Sequence, residues 1–150
     1  MTITERIATY WQNTKSMPFL LRLLSQGAMI AAPILLLFLV LPITEWEVNG
    51  RLVSYAELWS SGDGAAIATA LALVAAGAWG LAARNSASRW LLVSSPVAPY
   101  IVLAIFPASH VESIGPDVIA SGVLTAATFY FCLFRLRVVR AYLNAEGVGT

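Results

Sequence analysis

The sequence predicts an all-α membrane protein. It reads as a four-transmembrane-helix bundle with an N-terminal interfacial helix and a short outer β-hairpin plus helix between spans 1 and 2. Three observations predict it. Of the 150 residues 59% are apolar and only 11% are charged, against about a quarter charged in water-soluble domains. Four stretches, Leu23 to Thr44, Gly64 to Ala83, Trp90 to Ser109 and Val118 to Phe134, carry no charge, and about 20 helical residues cross a hydrocarbon core. The few charges that remain are segregated by sign along the chain.

That segregation orients the spans, because Lys and Arg near span ends are retained on the cytoplasmic side. Arg6, Lys15 and Arg22 precede the first span, Arg84 and Arg89 separate the second from the third, and Arg135, Arg137 and Arg140 follow the fourth. Eight of the nine basic residues therefore share one side. The opposite loops hold Arg51 against Glu45, Glu47, Glu57, Asp63, Glu112 and Asp117. The expectation is a single multi-pass domain over 1–150 in a bacterial inner membrane, both termini cytoplasmic, with spans of roughly 19–43, 64–83, 90–108 and 118–138. The first 17 residues lack the apolar core of a cleavable signal, so the first apolar segment is expected to stay as an anchor.

Taken in order, Ile3, Ile7, Tyr10 and Trp11 fall at helical spacing on one face and predict an interfacial helix with an aromatic anchor. Ser16 and Pro18 are expected to cap and open the first span. In the first outer loop Asn49-Gly50 separates two short alternating runs, a hairpin signal because both turn positions must accept positive φ. Ser54-Tyr55-Ala56-Glu57 has the form of a capping box opening a short helix. Trp46, Tyr55, Glu57 and Trp59 then become the expected outer contact surface for a partner.

Ala68, Ala72, Ala76 and Gly80 form a small-residue ladder on the second span, and the fourth offers Gly122 and Ala126. Small residues let helices approach closely in lipid. Ala72, Ala76, Gly80, Gly122 and Ala126 are the expected helix-packing surface, joining spans two and four; a homodimer seam is the alternative. In the third span Ser94-Ser95-Pro96-Val97-Ala98-Pro99-Tyr100 places two prolines within four residues, which removes backbone donors and predicts a kink. Its serines can rejoin the freed backbone groups. The same five residues, Ser94, Ser95, Pro96, Pro99 and Tyr100, are the candidates for a hinge or a cavity.

Other chemistries find little footing. The middle of every span lacks Asp, Glu, Lys, Arg and His, which argues against proton or cation transport. His110 sits at the far end of the third span from Ser94 and Ser95, more than about 20 Å away at the rise of a helix, so no serine–histidine pair forms. His110, Glu112 and Asp117 show no ligand spacing and read as solvated loop groups, so neither a metal nor a cofactor is expected. The single cysteine, Cys132, excludes an intramolecular disulfide. A net charge of +1 gives no reason to expect nucleic acid.

The stretch from Phe131 through Arg137-Val138 to Tyr142 resembles the end of an uncharacterised family of small bacterial four-span inner-membrane proteins. In that family the last span closes on an aromatic residue, an Arg-Val pair and another aromatic. The segment Arg89-Trp90-Leu91-Leu92 through Ser95-Pro96 to Tyr100 resembles the third span of four-helix immunity proteins against bacteriocins. The second resemblance implies a non-enzymatic protein that recognises membrane-inserted helices of a toxin. The combined expectation is a non-enzymatic inner-membrane protein acting through protein contacts, as accessory subunit or immunity-type binder. Its partners would be membrane lipid and a membrane protein or a second copy. The alternative is a small neutral-solute or lipid transporter with a kinked third span.

Overall fold

The computed structural model describes residues 2–43, 45–48, 50–106 and 115–144. It is mostly helical. Three helices are long and apolar enough to cross a membrane, and a fourth segment would reach that length as a bent pair.

Helix α1 (Ile3–Lys15) opens with a complete capping box, in which Glu5 N–H donates to Thr2 Oγ1 and Thr2 N–H donates to the Glu5 carboxylate at 2.8 Å. The four residues expected to line one face, Ile3, Ile7, Tyr10 and Trp11, do not share it. Ile3, Ile7 and Trp11 stay exposed at four-residue spacing, while Tyr10 and Thr14 turn inward. The Tyr10 hydroxyl donates to the Ser25 carbonyl at 2.9 Å, and Ser25 Oγ, 2.8 Å from that hydroxyl, donates to the Ala78 carbonyl. The ring stacks on Trp79 at 5.2 Å. Helix α1 is thus tied to the two helices behind it, which goes beyond simple anchoring.

Ser16 does not cap the first long helix. It ends α1, its Oγ donating to the Asn13 carbonyl, and α2 (Phe19–Val40) starts behind Pro18 with no side-chain cap. At 22 residues α2 measures about 33 Å. It stops three residues short of the expected boundary at 43. Leu41 precedes Pro42 and is extended, because the proline ring disfavours helical backbone in the residue before it.

Strands β1 (Trp46–Val48) and β2 (Arg51–Val53) pair antiparallel, Trp46 opposite Val53 and Val48 opposite Arg51. The intervening Gly50 has φ of +77°, as the hairpin turn requires; Asn49 lies outside the described residues. Helix α3 (Tyr55–Ser60) begins at Ser54, whose hydroxyl accepts from Glu57 N–H. Helix α4 (Asp63–Ala82) follows Gly62, where φ is +88° and a Cβ would overlap the Phe106 ring.

At its other end α4 closes in a Schellman turn: Asn85 N–H donates to Gly80 and Arg84 N–H to Leu81. The left-handed position, usually glycine, is Arg84 at φ 55°. Its guanidinium lies 5.1 Å from the Tyr142 ring centroid, a contact glycine would forfeit.

The third apolar stretch is broken into α5 (Ser88–Ser94) and α6 (Ala98–Ile105), inclined by 60°. Pro96 has no N–H for the Leu92 carbonyl, and Ser95 Oγ takes that acceptor at 2.8 Å; Ser94 Oγ bonds Leu91. Helix α7 (Pro116–Tyr130) continues as a π-helical turn over Phe131–Arg135. The expected span to 138 is corrected here: Leu136 is extended, and Arg137–Asn144 forms a separate amphipathic helix, α8. Its Val139, Tyr142 and Leu143 are buried while Arg137 and Arg140 are exposed.

Helix α4 is the hub, packed chiefly on α2 and then on α5 and α6, whereas α7 packs on α5. The expected pairing of the second and fourth stretches is therefore not the tight contact. Close approach is made instead at Gly77, where a Cβ would come 2.6 Å from Leu92 Cγ, and at Gly80 against Ser88. Ala72 and Ala76 are exposed, so the packing stripe is rotated toward Gly77, Ala78 and Leu81. Gly122 is buried against Tyr100 and Pro96, and Ala126 is half-buried one turn on.

Two apolar clusters result. One gathers Tyr10, Met17, Leu21, Leu81, Leu92, Leu133, Val139 and Tyr142 at the end rich in basic residues. The other, at the cap end, centres on Leu39, Val53 and Leu58 with Trp46, Trp59 and Ile67 around it.

Candidate functional site

The cap is built from α2 upward. Leu39 in the last turn of α2, Val53 at the end of β2 and Leu58 in α3 are all buried together, so hairpin and short helix share a core with α2 and α4. The Tyr55 hydroxyl donates to the Val40 carbonyl at 2.9 Å and fastens α3 to the end of α2. Glu57, having served Ser54 through its N–H, pairs its carboxylate with Arg51. The Trp59 ring packs on Gly64, where a Cβ would come 3.0 Å from it.

These contacts relocate the outer surface foreseen from the sequence. Trp46, Glu57 and Trp59 are half-buried and engaged within the cap, with the indole N–H groups of both tryptophans enclosed without an acceptor among the described residues. What the cap presents outward is the other face of the hairpin, Glu47 and Leu52, the latter 64% exposed, with exposed Arg51 next to the turn and Tyr55 at the edge. An exposed leucine flanked by an acid and a base is a compact amphipathic feature on a braced support.

Beneath the hairpin lies a cavity of about 410 Å³, within the range of small-molecule sites, about 300–1,000 Å³. Helix α4 lines one wall with Asp63, Ile67 and Leu71, α6 the other with Pro99, Tyr100 and Leu103, and Glu47 and Val48 roof it. The 60° break turns α6 aside and brings Pro99 and Tyr100 to this wall. The Tyr100 hydroxyl donates to the Val118 carbonyl at 3.1 Å and links α6 to the start of α7. Of the five hinge-or-cavity residues, Pro99 and Tyr100 line the space, whereas Ser94 and Ser95 are bound to their own helix and Pro96 sits in the break.

Asp63 is the residue that sequence reasoning passed over as one loop acid among six. It is 6% exposed, accepts from Ser61 Oγ at 2.7 Å, and occupies the first turn of α4, where the helix dipole favours an anion. The Gly62-Asp63-Gly64 sequence was the available signal: an acid held between glycines at the mouth of an apolar helix. Glu112 and His110, the remaining candidates for external ion chemistry, lie outside the described residues.

In class, fold and site define a small helical protein with membrane-length helices, a folded cap and a cavity under it. Compared with family models, curated proteins and solved structures, the chain matches none of them.

Proposed function

We propose that the chain crosses a bacterial inner membrane four times with both termini in the cytoplasm, and that it acts without catalysis through contacts its outer cap makes with another membrane protein. The three membrane-length helices and the bent pair support the count, and the eight basic residues gathered at one end support the orientation. The observation that carries the contact reading is the cap itself. Joining two helices needs only a few residues, yet here the connection folds a hairpin and a helix over a core shared with the ends of α2 and α4. A braced surface of that kind suits recognition, and the resemblance to bacteriocin immunity proteins points the same way.

A photocrosslinking amino acid at Leu52, used in native membranes, tests this reading. One specific protein adduct, another membrane protein or a second copy, is the expected product. Lipid adducts alone would sink it.

The second reading, a transporter of a small neutral solute or lipid, rests on the broken helix and the cavity it lines. With Cys132→Ala as background, Tyr100→Cys should react with an aqueous thiol reagent added from the cap side, and Ser95→Cys, whose parent is 3% exposed, should resist. Protection at both positions would leave the cavity without solvent access and remove this reading.

A further inference from the structure

At the end opposite the cap, α2 and the end of α7 diverge and leave a groove of about 340 Å³. Leu20 and Leu24 form one side; Phe129, Cys132, Leu133 and Leu136 form the other. Its lining is almost entirely apolar, and three arginines stand next in the chain to its lining residues Leu136 and Val139. Arg135 and Arg137, both exposed, flank the lining residue Leu136, and Arg140 follows on α8. The described part of the chain from 115 onward contains one acid, Asp117, at the far end of α7.

An apolar slot with exposed arginines on either side of one of its lining residues matches one chemistry, a hydrocarbon chain attached to a phosphate. Arginine binds phosphate through paired N–H donors, and the anionic lipids of a cytoplasmic leaflet are drawn to basic segments beside a span. We infer that this groove holds an acyl chain of an anionic phospholipid whose phosphate is bound by Arg135 and Arg137. A protein helix in the same slot would have to bring acidic groups to three arginines, whereas the lipid supplies the anion and the chain in one molecule. The inference rests on the four-span reading, which places the groove in the inner leaflet.

Cys132, the chain's single cysteine, is half-buried in the groove wall and reports on occupancy. The full chain would be reconstituted in bilayers of phosphatidylcholine with or without an equal part of phosphatidylglycerol. Lipid retained after mild detergent release is counted by native mass spectrometry, and the rate of Cys132 labelling by a lipophilic maleimide is followed in parallel. Phosphatidylglycerol should be retained preferentially and should slow the labelling. Arg135→Gln with Arg137→Gln should weaken the preference by about fivefold per arginine, and the paired Lys replacements should keep much of it.

Equal retention of both lipids, or a preference that survives the paired Gln replacements, would overturn the inference. So would a protein adduct at Cys132 in native membranes. Alkaline extraction separates the two levels: a chain that resists extraction yet shows no lipid preference defeats this inference alone, and a chain that is extracted defeats the membrane reading beneath it.

Discussion

The basic end and the cap end of this molecule are held together by different means. At the basic end α1, α2, α4, α5, the π-helical turn and α8 converge on one cluster, and a buried hydrogen-bonded chain runs from Tyr10 through Ser25 to Ala78. Arg84 and Arg89 lie over the rings of Tyr142 and Phe134 and close its surface. At the cap end the apolar cluster is small, the turn sits on a short two-stranded sheet, and a cavity is lined by both α4 and α6. The difference teaches where rigidity and recognition are divided. Segments far apart in sequence lock the basic end, whereas the cap is a local unit seated on two helix ends.

Matched truncations give the largest expected effect. Leu81 and Leu58 are both fully buried, one in each cluster. Leu81→Ala should cost about 2–5 kcal/mol, the usual range for a core leucine, and lower the stability of the whole chain in detergent-denaturation experiments. Leu58→Ala removes the same atoms, but it should expose the cap to protease while the long helices keep their unfolding midpoint. If both variants unfold globally, the cap is part of one cooperative unit and the division fails.

How far this division was legible follows from what each residue pattern encodes. Charge-free runs located the long helices because burying charge in an apolar segment is costly, and Asn49-Gly50 located the hairpin because few residues accept positive φ. Helix ends were harder: Leu41 before Pro42 did carry a stop signal, but Leu136 stands between Arg135 and Arg137 with no proline or glycine beside it, and only its extended backbone ends the helix. Which face of α4 packs inward was not legible. The Ala72, Ala76 ladder and the Gly77, Ala78, Leu81 stripe are both small or apolar, and a helix apolar all round gives no moment to choose between them. The cavity was half legible, its proline break from Pro96 and Pro99, its Asp63 wall not.

A smaller effect tests the polar part of the basic end. The Tyr10 hydroxyl is buried against Ser25, and burial raises its pKa above the usual 10.0, the Ser25 hydrogen bond opposing this and nearby Tyr142 adding to it. Folding therefore favours the protonated phenol. Its contribution is complete below pH 10 and is lost as pH climbs from there through the raised value. Tyr10→Phe should cost about 1 kcal/mol at neutral pH and remove the alkaline decline, read from denaturation midpoints between pH 9 and 11. A decline that persists unchanged in the Phe variant would assign it to another group and weaken the case that α1 is docked through Tyr10.

The smallest effect belongs to the cap. Arg51 and Glu57 pair across β2 and α3, but their side chains are 65% and 35% exposed. Water and salt screen such a pair, and holding two long side chains in one geometry costs entropy, so a net value of about 0–1 kcal/mol applies. Glu57→Gln removes the charge while sparing the Glu57 N–H bond to Ser54, so the start of α3 survives. The expected outcome is a change in cap protease resistance within that range, shrinking further as salt is raised. A larger, salt-insensitive loss would mean that the hairpin and α3 depend on this polar contact rather than on Leu39, Val53 and Leu58. The cap would then be an adjustable surface held by one ion pair, and a partner bringing its own charge could reshape it on binding.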